Sequence, residues 1–66
     1  MANFRLTAKK DFPGDTIKAG DTIVIRGLDF ESNIHLEHVR EALETQLGKK
    51  MSCGYRGNTD WIISKF

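Results

Sequence analysis

Apolar and polar residues alternate from the start of the chain. Phe4, Leu6 and Ala8 fall on one parity, with Arg5, Thr7 and Lys9 on the other. This is the two-residue period of a strand with one sheltered face. Asp11-Phe-Pro-Gly-Asp15 then breaks the alternation. Pro13 presets φ at the second turn position and Gly14 supplies positive φ at the third, which predicts a type II turn. A second turn, Lys18-Ala-Gly-Asp21, leads into Thr22-Ile-Val-Ile-Arg26, a β-branched run closed by Gly27 that predicts the second strand. Gly-Asp-Thr-Ile occurs at 14–17 and again at 20–23. Two copies are too few for the rungs of a β-helix and read as chance or as the two arms of a small bend.

Further along, the period changes. Leu36, Val39, Leu43 and Leu47 recur at spacings of three and four, with Ala42 beside them, so one stripe is apolar. Ser32 or Asn33 can cap this segment, Gly48 stands where a left-handed residue ends a helix, and Lys49 and Lys50 complement the C-terminal dipole. The spacing predicts a helix over 33–47, with Arg40 and Glu44 paired on its exposed side. Met51, Cys53 and Tyr55 then alternate with Ser52 and Gly54, Arg56-Gly-Asn-Thr59 is turn chemistry, and Trp61 to Phe66 has strand propensity. Residues 51–55 read either as the first arm of a hairpin or as an extended lead-in to the last strand. The expected order is β-β-α-β, or β-β-α-β-β. This is an α+β fold with one amphipathic helix on a three- or four-stranded, mainly antiparallel sheet, forming one domain over 1–66.

A lone helix covers one side of such a sheet. The expected core is Phe4, Leu6, Ile23, Ile25, Leu36, Val39, Leu43, Leu47, Ile62 and Phe66. Ile62 and Ile63 are consecutive, so a strand points them to opposite faces. With Ile62 inside, the open face carries Val24, Trp61 and Ile63 as apolar contacts and Arg5, Arg26 and Lys65 as a cationic rim. That composition suits a homodimer interface or a docking surface for another protein. A slip of one residue inverts the assignment, placing Trp61 in the core and Ile62 outside.

The formal net charge is +1, but the charges are segregated. Residues 29–44 set five carboxylates against Arg40, and residues 49–66 set four cations against Asp60. The basic end supports an alternative reading as a single-stranded nucleic-acid binder. Trp61 and Tyr55 would stack on bases while Lys9, Lys50, Arg56 and Lys65 meet phosphates.

Other chemistry finds little support. One Cys allows no internal disulfide, which suggests a reducing, cytoplasmic setting. Met1 to Leu6 has no long apolar run, so no signal peptide is expected. Apolar runs such as Ile23–Ile25 are far too short to span a bilayer. His35, His38 and Glu41 share a helix side and would make part of a metal site with Cys53. The apolar stripe runs elsewhere, so a solvated polar face is the expectation. Nothing near Cys53 in sequence supplies a base. Gly54-Tyr-Arg-Gly57 has the shape of the KH clamp loop without its two flanking helices. With no phosphate-binding loop and no paired acids in a plausible cleft, the sequence predicts a protein that is not an enzyme and has no cofactor, metal or small-molecule ligand.

Lys18 to Gly27, a Gly-Asp turn followed by β-branched alternation, resembles the entry strand of SH3-like barrels such as the KOW motif. The long helix and the missing further strands set that fold aside. More of the chain is covered by a second resemblance. "NFRLTAKK", a turn and a Lys-x-Gly-initiated strand, a single amphipathic helix and a closing strand resemble short uncharacterised bacterial proteins of the kind encoded on mobile elements. That resemblance implies a bacterial origin and adds nothing about chemistry.

Overall fold

The computed structural model describes residues 2–12, 14–52 and 54–66. Three strands form one antiparallel sheet: β1 (Ala2–Ala8), β2 (Thr22–Leu28) and β3 (Trp61–Lys65), in the order β2-β1-β3. A helix, α1 (Leu36–Ala42), connects β2 to β3 across the sheet, so β1 lies between two strands joined by a helical crossover. The architecture is α+β. Among the described residues, 51–52 and 54–55 belong to no strand, so the hairpin reading fails there. Cys53 lies outside the described residues.

Even-numbered residues of β1 face the helix. Ala2, Phe4, Leu6 and Ala8 are buried, together with Ile23 and Ile25 of β2. One extra residue enters β2 between Ile25 and Leu28, which pair with Phe4 and Ala2. Gly27 accommodates it at φ 79°, as a bulge with a left-handed glycine does.

The last strand corrects the expected core. Leu6 pairs with Ile63 and Ala8 with Trp61, so the odd positions of β3 share the sheltered face. Trp61 is 0 % exposed, whereas Ile62 and Phe66 are each 52 % exposed. Both of the latter had been expected inside. The cause is that the helix is not the only cover. Phe12, Ile17, Ile34 and Met51, all from connecting segments, are buried in the same cluster. The Phe12 ring meets the Trp61 indole at 5.3 Å and 59°. An indole removes more apolar area from water than an isoleucine side chain, so this thickened core selects the register that buries Trp61. Leu36 and Leu47 pack at its margin, half-buried.

The helix also differs from expectation. It begins at Leu36, because Asn33 instead closes a single 3₁₀ turn over Glu31–Asn33, where its Oδ1 accepts the Phe30 N–H at 2.9 Å. His35 is the N-cap of α1, and its N–H donates to His38 Nδ1 at 3.0 Å. After Ala42 the coil widens into a π-type turn over Leu43–Leu47. Thr45 Oγ1 donates to the Glu41 carbonyl at 2.8 Å, a back-bond that competes with the helical ladder. Gly48, at φ 66°, ends the segment in the left-handed conformation and donates to the Glu44 carbonyl at 3.1 Å.

The two Gly-Asp-Thr-Ile copies share two features although the first lies in the bend and the second runs into β2. Gly14 and Gly20 both have positive φ, 79° and 93°, and Ile17 and Ile23 are both fully buried. The N–H of Asp15 donates to the Phe12 carbonyl at 3.1 Å, closing the first turn as the type II reading expects. Pro13, on which that reading also rested, is outside the described residues. The two aspartates then hold the chain that leaves the helix. Asp15 accepts from the Ser52 hydroxyl at 2.8 Å, and Asp21 accepts from Lys49 Nζ at 2.5 Å.

Candidate functional site

The face of the sheet turned away from α1 is the candidate surface. Its residues follow from the register. Asn3, Arg5 and Thr7 of the central strand lie between Thr22 and Val24 on one side and Ile62, Ser64 and Phe66 on the other. Thr7 and Thr22 face each other with hydroxyl oxygens 3.2 Å apart. Arg5 is exposed, and its guanidinium carbon lies 4.8 Å from the centroid of the Phe66 ring. An exposed pair of this kind contributes about 0.5–1 kcal/mol. Phe66 is tied by reciprocal backbone bonds to Asn3, at 2.8 and 3.2 Å.

Three of the six residues expected on this surface share its parity: Arg5, Val24 and Arg26. Trp61 and Ile63 do not. The first is fully buried and the second packs against the core from the helix side. Lys65 pairs with Phe4, so it also projects toward the helix side, although it is exposed. In their places the face presents Ile62 and Phe66, which the sequence pattern had put inside. The single signal that could have found them is the opposite choice of strand parity.

The nucleic-acid alternative loses its stacking platform. Trp61 is inaccessible, and Tyr55 is half-buried against the core. Burial pushes the Tyr55 hydroxyl above its ordinary pKa, with the Glu31 charge adding to the effect. Two of the four cations are engaged by the protein itself. Lys9 Nζ donates to the Asn58 carbonyl, and Arg56 Nε lies 3.1 Å from an Asp60 carboxylate oxygen. Asp60 is buried, and Lys10 approaches its other oxygen at 3.5 Å. Asp60 therefore anchors the turn before β3. Lys50 and Lys65 are exposed.

His38 Nδ1 is used in starting the helix, where it accepts the His35 backbone N–H, and His35 itself is exposed. Among the described residues, no three His, Cys, Asp or Glu side chains come together in a metal-binding group. Among the same residues, no helix is long and apolar enough to cross a membrane. The chain matches no family model, no curated protein and no solved structure.

Proposed function

We propose that this protein is a non-enzymatic interaction module that associates with protein, a second copy or another chain, through the open sheet face. One observation carries the reading: Ile62 and Phe66, two large apolar side chains, stand half in solvent on the face turned away from α1, which no helix among the described residues covers. The contacts are Ile62, Phe66 and Val24, and Arg5 and Arg26 supply the polar margin. Single scattered apolar side chains on a surface mean little. These two lie on one side of one strand, beside a central strand whose cation is already stacked on one of them. The bacterial origin and cytoplasmic setting suggested by the sequence belong to the same proposal.

The test is apparent mass as a function of concentration, followed by titration with a labelled single-stranded oligonucleotide at two salt concentrations. Association through this face gives a mass that rises with concentration and changes little with salt. An oligonucleotide affinity that falls steeply with salt favours the nucleic-acid reading instead. A chain that stays monomeric at high concentration and ignores the oligonucleotide removes the case for both self-association and nucleic-acid binding.

A further inference from the structure

The two edges of the sheet are treated differently. On β2, Val24 lies opposite Arg5 and turns its own N–H and C=O away from β1. Both groups are taken by one side chain: the Val24 N–H donates to Gln46 Oε1 at 2.9 Å, and Gln46 Nε2 donates to the Val24 carbonyl at 2.7 Å. The amide of Gln46 thus stands where a fourth strand would pair. On β3 the reciprocal bonds of Asn3 with Phe66 fix the phase of the ladder, so Ser64 and Ile62 bond inward to β1. The N–H and C=O groups of Trp61, Ile63 and Lys65 consequently point outward. No described residue pairs with them.

We infer that this edge joins a second copy of the chain, β3 against the partner's β3, antiparallel about a twofold axis at Ile63. The inference rests on the proposed open-face association and names its partner. The outward groups sit at 61, 63 and 65, a set symmetric about its middle member. A twofold at Ile63 therefore places Trp61 opposite the partner's Lys65, Ile63 opposite the partner's Ile63, and Lys65 opposite the partner's Trp61. Each of these is a hydrogen-bonded pair, and two three-stranded sheets become one continuous sheet. On the open face the same register sets Ile62 opposite the partner's Ser64 and diagonal to the partner's Ile62. The exposed isoleucines then shelter each other across the axis. A net charge of +1 offers little repulsion between copies. Lys65 and the shortness of β3 are devices that weaken edge pairing. Five-residue edges also bury little area, below about 1,200 Å² in total. The dimer is therefore weak and forms reversibly with concentration.

Amide hydrogen exchange at low and high protein concentration, alongside sedimentation equilibrium, tests this. The amides of Ile63 and Lys65 should become at least tenfold more protected as the dimer forms, while that of Val24 should not change. Lys65→Pro removes an outward N–H that makes no bond within the chain, so the fold tolerates it. It should weaken association at least tenfold. A dimer whose Ile63 and Lys65 amides exchange at a concentration-independent rate overturns the edge inference and leaves the open-face reading standing. A protein that remains monomeric throughout overturns the edge inference and self-association together.

Discussion

Trp61 and Ile62 are neighbours with opposite fates, and the difference is measurable. Truncating a buried aromatic leaves a cavity as well as losing transfer energy, so Trp61→Ala should cost about 3–5 kcal/mol, enough to unfold so small a domain. Ile62→Ser removes a half-exposed side chain and should change monomer stability by no more than about 0.5 kcal/mol. Denaturant titration followed by circular dichroism at low concentration distinguishes the two. If Ile62→Ser unfolds the chain and Trp61→Ala does not, β3 pairs in the opposite register, with Ile62 inside. The sequence could not settle that register. Trp61, Ile62 and Ile63 are all apolar, so the alternation that fixed β1 without ambiguity has no contrast in β3. The deciding partners lie outside the strands: Phe12 and Ile17 in a bend without periodicity, and Met51 in an alternating stretch that forms no strand. Their burial depends on where the bend brings them.

The elements themselves were legible where pattern and local chemistry agreed. β1 and β2 follow from alternation and β-branching, and the end of the helical segment at Gly48 from its position after the last apolar residue. Gly48→Ala places a Cβ on a left-handed residue and should destabilise the fold by about 1–2 kcal/mol, read from the shift in denaturation midpoint. The start of α1 was not legible. Asn33 is a good cap by type, but its carboxamide is spent on the preceding turn, and a His35–His38 pair takes over. Nor did any pattern reveal Gln46, a polar residue on a polar helix face that proves to close the β2 edge. Gln46→Ala leaves the Val24 N–H and C=O without their partner. Stability should fall by about 1 kcal/mol and the Val24 amide should exchange faster, as detected by hydrogen exchange. An unchanged exchange rate at Val24 would show that the side-chain amide does not guard that edge.

At the scale of the whole chain, the two Gly-Asp-Thr-Ile copies hold the fold together by gripping the segment after the helix, and Asp21 makes this grip depend on pH. The Lys18 backbone N–H donates to its carboxylate at 2.9 Å and Lys49 pairs with it. The hydrogen bond from Lys18, and then the one from Lys49, hold the Asp21 carboxyl below its ordinary range against an opposing effect of burial. A carboxyl whose folded pKa is depressed contributes stability above its unfolded value, near about 4, and loses it as the pH falls through the lower folded value. Asp21→Asn keeps an acceptor for Lys18 but removes the charge that Lys49 meets. The variant should therefore unfold at lower denaturant than the native chain at neutral pH. The gap should stay constant down to about pH 5 and close as the native carboxyl takes up its proton in the acid range. Denaturation midpoints for both proteins from pH 7 to pH 2 give the comparison. A gap that persists undiminished at the acid end would mean that Asp21 acts through shape alone, and that the charge pair between the bend and the helix exit contributes nothing to holding them together.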